Sequence, residues 1–323
     1  MKIFLNKAIP QVGMKILNDS NNEIIIPAKE NISDVEFLKY CKNADVILNV
    51  GGNKLDKEFF DNCPNLKAIS LFSVGYNSVD IAEATKRKIP VGNTPDVLSR
   101  ATSDIAFLLM QSVSRLASHN FQKVKDGNWG SFDPMENLGQ ELYGKTLGVF
   151  GLGRIGFEMA KKCKAAFDME IIYHNRSRNE EVEKELGAKY VSFEELVKNS
   201  DVLSIHANFE AKDSNLFNAE IFAKMKPNLI FINTARGGFQ NEKDLYKALK
   251  NGTIWGAGLD VTNPEPMEKS NSLLQLSNVC VLPHIGSATI EARNGMAKIA
   301  AENAVSFTKG EKMKTCVNPE VYI

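Results

Sequence analysis

Short runs of consecutive apolar residues alternate with amphipathic segments along most of this 323-residue chain. An unbroken apolar run of four or five residues suits a strand buried on both faces, and the intervening repeat suits a crossover helix. Over residues 1–98 the runs at 1–5, 23–26, 44–48, 66–71 and 90–91 predict strands, and 10–19, 33–41 and 57–62 predict helices. Farther along, strands are expected at 147–150, 170–173, 189–191, 202–206, 229–233, 256–261 and 278–282. Helices are expected between them at 154–167, 179–186, 193–198, 219–224 and 242–251. A helix over 98–115 is apolar round most of its circumference, as a helix buried on more than one side would be. Residues 126–143 read as a surface or interface loop, and a last helix over 287–308 leads to a tail that rejoins the first segment. Strand–helix alternation of this kind implies parallel sheets. The expected class is therefore α/β with two doubly wound parallel-sheet domains. Residues 99–285 form one, inserted into another made of 1–98 and 286–323.

Charge and cysteine content remove several alternatives. Lys plus Arg and Asp plus Glu each number 39, so no basic excess points to nucleic acid or a membrane surface. No apolar run approaches the roughly 18 residues of a membrane span, and the apolar stretch at the N-terminus is too short for a signal peptide. The five cysteines are scattered, with no C-x-x-C pair and no histidine at ligand spacing. That pattern predicts no metal and a reduced, cytoplasmic setting.

Candidate chemistry begins where the run 147–150 ends. Gly151, Gly153 and Gly156 follow at G-x-G-x-x-G spacing and open a helix. In a dinucleotide site the first glycine makes the tight turn, the second admits the pyrophosphate, and the third lets helix pack on strand. The free N–H groups of the helix start then face the phosphates. An acid about 20 residues on would bond the adenosine ribose. Asn175 stands there instead, followed by Arg176, Ser177 and Arg178, which could meet a 2′-phosphate. NADP(H) is favoured and NAD(H) remains possible. Later strand ends supply Arg236, Glu265 and His284, respectively suited to pairing with a carboxylate, holding a charged imidazole and passing a proton. In the first segment, Gly51-Gly52 and Ser73-Val74-Gly75-Tyr76-Asn77 follow strands, as anion-binding turns or as turns that need glycine for geometry alone.

Four ordered segments now carry a resemblance: 151–156 (Gly-Leu-Gly-Arg-Ile-Gly), 234–237 (Thr-Ala-Arg-Gly), 258–266 (Gly-Leu-Asp-Val through Pro-Glu-Pro) and 283–286 (Pro-His-Ile-Gly). With them the chain resembles the D-isomer-specific 2-hydroxyacid dehydrogenase family along essentially its whole length. The resemblance implies a Rossmann-type cofactor domain within a flavodoxin-like substrate domain, an active site in the cleft between them, and a homodimer. It implies hydride transfer between NAD(P)H and a small 2-oxo acid. Arg236 would bind the substrate's carboxylate and keto oxygen, His284 would be the acid/base, and Glu265 its partner. Val74 and Gly75 match the carboxylate-binding turn. Thr102, Arg154, Ile155, Thr234, Ala235, Asp260 and Ser287 fall at cofactor-contacting positions. Leu48, Phe72, Tyr76 and a partner's Trp129 or Met135 are candidate pocket walls. His206-Ala207-Asn208 stands where many members have His-x-Pro, a departure beside the nicotinamide. The Asn175–Arg178 strand end and the lack of an appended regulatory domain resemble the glyoxylate/hydroxypyruvate reductase branch. A D-3-phosphoglycerate dehydrogenase activity is less expected, with no clear Arg/Lys cluster around Gly51 or Val74. A non-catalytic NAD(P)-sensing protein of the same fold is the remaining alternative.

Overall fold

The apolar runs become strands of two wholly parallel sheets, one in each of two compact units. The computed structural model describes residues 1–29 and 31–323. The units are Met1–Leu98 with Ala288–Ile323, and Ser99–Ser287.

The first unit runs β1 (Lys2–Leu5), α1 (Gln11–Asn18), β2 (Glu23–Ile25), α2 (Asp34–Cys41), β3 (Val46–Asn49), α3 (Lys57–Asn62), β4 (Ala68–Leu71), α4 (Ile81–Lys86) and β5 (Val91–Gly92). Its sheet order is β2-β1-β3-β4-β5, the flavodoxin-like arrangement. Helix α4 lies outside the expected elements; it is only six residues long, and its start is marked by Asp80, which caps the Glu83 N–H at 3.0 Å.

The second unit opens with α5 (Ser99–Ser114) and α6 (Ala117–Lys125), then β6 (Thr146–Phe150), α7 (Arg154–Phe167), β7 (Glu170–His174), α8 (Glu180–Leu186), β8 (Lys189–Tyr190) and α9 (Phe193–Asn199). It continues with β9 (Val202–Ile205), α10 (Ala219–Phe222), β10 (Ile230–Asn233), α11 (Glu242–Lys250), β11 (Gly256–Leu259) and β12 (Val279–Val281). The sheet order β12-β11-β10-β9-β6-β7-β8 is doubly wound, reversing direction between β6 and β9. The central strands are covered on both faces and feed two cores. Ile230 and Ile232 pack with Leu109, Met159 and Cys163 on one face, and Phe231 packs with Phe217, Phe222 and Leu245 on the other. Helix α6 is also outside the expected elements; its residues are mostly polar and none of them is buried.

Helix α12 (Ile290–Thr308) returns to the first unit, three residues later than its expected start because the Thr289 hydroxyl caps the Ala292 N–H at 3.1 Å. Ser70 Oγ donates to Ala300 O at 2.8 Å, fastening α12 to β4. The tail follows: the Val91 N–H donates to Asn318 Oδ1 at 2.8 Å, and Asn318 Nδ2 donates to Ile89 O at 3.0 Å.

One carboxylate gathers three strand starts in the second unit. Asp201 accepts from the Thr146 N–H at 2.9 Å, from Lys226 Nζ at 3.0 Å and from Asn228 Nδ2 at 3.0 Å. Burial pushes this carboxyl up, but the three donors outweigh burial and hold it below its ordinary value. Asp201→Asn should therefore destabilise the protein by about 1–3 kcal/mol at neutral pH. A lowered folded value means that the contribution is complete above the unfolded pKa near 3.9 and is lost as pH falls through the folded one. Chemical denaturation of both proteins between about pH 7 and pH 3 checks this: the gap should close as pH drops.

Candidate active site

Strand β6 delivers Gly151 to a tight turn with φ of +96°, a conformation costly for any other residue. A Cβ there would also collide with the backbone of His206 and Ala207, the segment leaving β9. The first glycine thus brings together the two strand ends at which the sheet reverses. At Gly156 a Cβ would lie 2.6 Å from Gly151 O, so this position needs glycine for helix-on-strand packing. At Gly153 a Cβ would meet nothing within 4 Å, leaving bare backbone for close approach by a pyrophosphate. Gly153 is also the N-cap of α7 and provides no capping side chain, so N–H groups of the first turn remain for an anion. These residues fit a dinucleotide.

Asn175 has a second task beyond replacing an acid. The Leu152 N–H donates to its Oδ1 at 2.6 Å, and its Nδ2 donates back to Leu152 O at 3.3 Å, bracing the glycine loop. Arg178 is held bidentately by Glu183 at 2.8 and 2.7 Å, and the Tyr173 hydroxyl donates to the same carboxylate at 2.6 Å. Those bonds pull Glu183 down to about 2, Arg178 contributing most. Arg178 therefore shapes this strand end, while the exposed Arg176 reaches Glu210 at 2.7 Å and Ser177 is exposed.

The second unit brings Arg236, Glu265 and His284 together by main-chain contacts. Asn233, fully buried at the end of β10, donates from Nδ2 to Arg236 O at 2.8 Å and accepts the Ala235 N–H at 2.9 Å. It also donates to Gln240, closing the turn that contains Arg236. A Cβ on Gly237 would overlap the backbone of Thr262, so the arginine turn lies directly on the loop carrying Glu265. That carboxylate is held at both oxygens: the Thr262 N–H reaches Oε1 at 3.0 Å, and His284 Nδ1 lies 2.9 Å from Oε2. Burial pushes Glu265 up, but the bond to His284, the Thr262 N–H and the positive charges of His284 and Arg236 together pull it lower. Burial likewise lowers Arg236, opposed by the charge of Glu265.

His284 has a φ of +54°, in the left-handed region. Asp260 maintains that turn: the Ile285 N–H reaches its Oδ1 at 2.8 Å and the Gly286 N–H its Oδ2 at 2.7 Å. Thr102 completes the cluster, since a Cβ at Gly286 would lie 3.1 Å from both Asp260 Oδ2 and Thr102 Cγ2. Because an ionised carboxylate only accepts, His284 Nδ1 carries the hydrogen toward Glu265, and Nε2 is left to exchange a proton with a substrate. Beside β9, His206 Nε2 lies 2.8 Å from Ser204 Oγ and Nδ1 lies 3.5 Å from Thr234 Oγ1. Desolvation pushes this ring down to about 3, so it is neutral at working pH.

Asn233 and Gln240 are not among the residues expected at the site, although a polar residue closing an otherwise apolar strand is an available signal. In the first unit, loop 73–75 follows β4 and is pinned internally. Ser73 Oγ donates to Gly75 O at 2.7 Å, Asn93 Nδ2 to Val74 O at 2.8 Å, and the Thr94 N–H to Ser73 O at 2.9 Å. Arg293 lies over the Phe72 ring at 6.0 Å, a cation beside this loop that linear sequence does not place there.

Comparisons with known proteins identify the family. Residues 107–286 match the model for the D-isomer specific 2-hydroxyacid dehydrogenase, NAD binding domain. The chain is 41% identical to a glyoxylate reductase of Pyrococcus horikoshii, covering 99% of this chain and 96% of that protein. The crystal structure of the TT0316 protein from Thermus thermophilus superposes with a TM-score of 0.90 at 34% identity, covering 98% of this chain and 100% of that one. An NADPH-dependent glyoxylate/hydroxypyruvate reductase from Sinorhizobium meliloti, in complex with NADP and malonate, gives 0.85 at 31% identity, covering 99% and 97%. The chain belongs to the D-isomer specific 2-hydroxyacid dehydrogenase family and is a nicotinamide-dependent oxidoreductase.

Proposed function

We propose that this protein reduces glyoxylate or hydroxypyruvate to the corresponding 2-hydroxy acid, with NADP(H) as the preferred cofactor. The carrying observation is the chain from Arg236 to Glu265 to His284, in which Glu265 engages Nδ1 and leaves Nε2 for the substrate. When bound, the nicotinamide supplies the hydride. Arg236 pairs with the substrate carboxylate and stabilises charge on the keto oxygen, and His284 Nε2 gives that oxygen its proton. Glu265, held ionised, keeps the ring oriented through Nδ1. Val74 and Gly75 serve the substrate carboxylate through backbone N–H groups. The names of the full-length relatives support the substrate class, and the intact catalytic trio weighs against a purely sensing role. Arg176 and the missing acid at 175 support NADP(H).

NADPH oxidation across a panel of 2-oxo acids tests the substrate class: turnover of glyoxylate or hydroxypyruvate is expected, and turnover of none overturns it. His284→Ala should lower kcat by about 10² or more, and steady-state rates near wild type would remove His284 from the mechanism. Glu265→Gln should lower kcat by about tenfold or more, because an amide in place of the carboxylate no longer fixes the orientation of the ring through Nδ1. Steady-state kinetics of the variant read this directly.

The proposal includes a homodimer. Apolar side chains stand exposed along 121–138, among them Trp129 at 81% and Phe132 at 91%, more than an isolated surface loop usually displays. Replacing Phe132 and Met135 with Glu should yield a smaller species in light scattering, whereas an unchanged mass would exclude this loop from the interface.

A further inference from the structure

Two arginines follow β7, and both point at carboxylates. Arg178 is committed, bidentate to a Glu183 that also binds Tyr173. Arg176 is 77% exposed and meets Glu210 through one contact, Nη1 to Oε1 at 2.7 Å. Glu210 stands on the loop after β9, across the sheet's reversal point from the glycine turn. Its other oxygen, Oε2, binds Lys212 Nζ at 2.7 Å. Its main chain is fixed as well: the Glu210 N–H donates to Asp213 Oδ2 at 3.0 Å, and the Asp213 N–H to Glu210 O at 2.9 Å. An anchored carboxylate therefore lies between two exposed cations, occupying one of them where a ribose phosphate would bind.

We propose that Glu210 is a specificity-determining residue, an internal anion that competes with the cofactor's 2′-phosphate for Arg176 and sets the preference for NADPH over NADH. The inference rests on the NADP(H) reading above. An exposed ion pair is weak, and a phosphate carrying nearly two charges displaces it. Displacement still gives up the Glu210 contact and leaves a carboxylate near the phosphate. NADH presents a neutral hydroxyl at that position, so its binding is indifferent to whether Arg176 is free. Glu210 thus weakens NADPH selectively and keeps the preference moderate.

The test uses the full-length enzyme at saturating 2-oxo acid. KM and kcat for NADPH and NADH are measured for wild type, Glu210→Gln and Arg176→Ala, with calorimetric binding of adenosine 2′,5′-bisphosphate and 5′-AMP. Glu210→Gln should lower KM for NADPH and Kd for the bisphosphate about fivefold, the scale of one exposed ion pair. Values for NADH and 5′-AMP, and kcat, should hold within about twofold, and the gain should fade at high salt. A raised KM for NADH in Glu210→Gln would overturn the proposal, since Glu210 would then be binding the ribose hydroxyls. Equal shifts for both cofactors, or none, would overturn it too. Arg176→Ala separates the two readings. If it leaves the NADPH:NADH ratio unchanged, the NADP(H) reading itself fails. If it collapses that ratio while Glu210→Gln does nothing, only the role of Glu210 fails.

Discussion

All strands of the second sheet run in the same direction, and that constraint organises the candidate site. Parallel strands release their carboxyl ends along one edge, so segments far apart in sequence leave the sheet as neighbours. The glycine loop leaves β6, His206 leaves β9, the arginine turn leaves β10, the Asp260–Glu265 loop leaves β11, and the His284 turn leaves β12. Their spacing is then reduced to main-chain contact at two glycines. Gly151 closes on the 206–207 backbone, and Gly237 closes on Thr262. Any side chain at either position would force the paired segments apart.

Ionic and hydrogen-bonding groups at that edge divide into framework and chemistry. Asn233, Gln240 and Asp260 spend their polar atoms on backbone and on one another, and they are almost fully buried. Arg236, Glu265 and His284 are the groups proposed to meet the substrate, and Glu265 and His284 are substantially exposed. Asp260 shows how the two sets connect. Its carboxylate is pushed up by burial, yet it spans two adjacent N–H groups of the turn that carries His284. A neutral or shorter side chain there would free a histidine held at positive φ.

Much of this is legible in the chain because it follows from local chemistry. Doubly apolar runs mark the strands, glycine spacing marks the nucleotide loop, and Arg236, Glu265 and His284 stand just past strand ends. What stays hidden depends on pairings that no local pattern encodes. Arg176 and Arg178 look alike in sequence, but Glu183 takes one and Glu210 the other. Asn175 reads as an absence, whereas it supports Leu152 with both ends of its amide. Helix α6 is missed because its nine residues are mostly polar, and its apolar Phe121 and Val124 are exposed rather than packed into a core.

That brace at Asn175 bears on how such an enzyme could change over evolutionary time. An amide can accept from one peptide group and donate to the same residue's carbonyl, and a carboxylate can do only the first. Installing the acid that grips a ribose would set a negative oxygen against Leu152 O and loosen the loop that seats the pyrophosphate. A switch of cofactor at this strand end is therefore coupled to the integrity of the loop beneath it. The first mutational step from Asn175 to an acid would carry a folding penalty before any gain in binding. Such coupling makes a cofactor preference persist even where selection on it is weak.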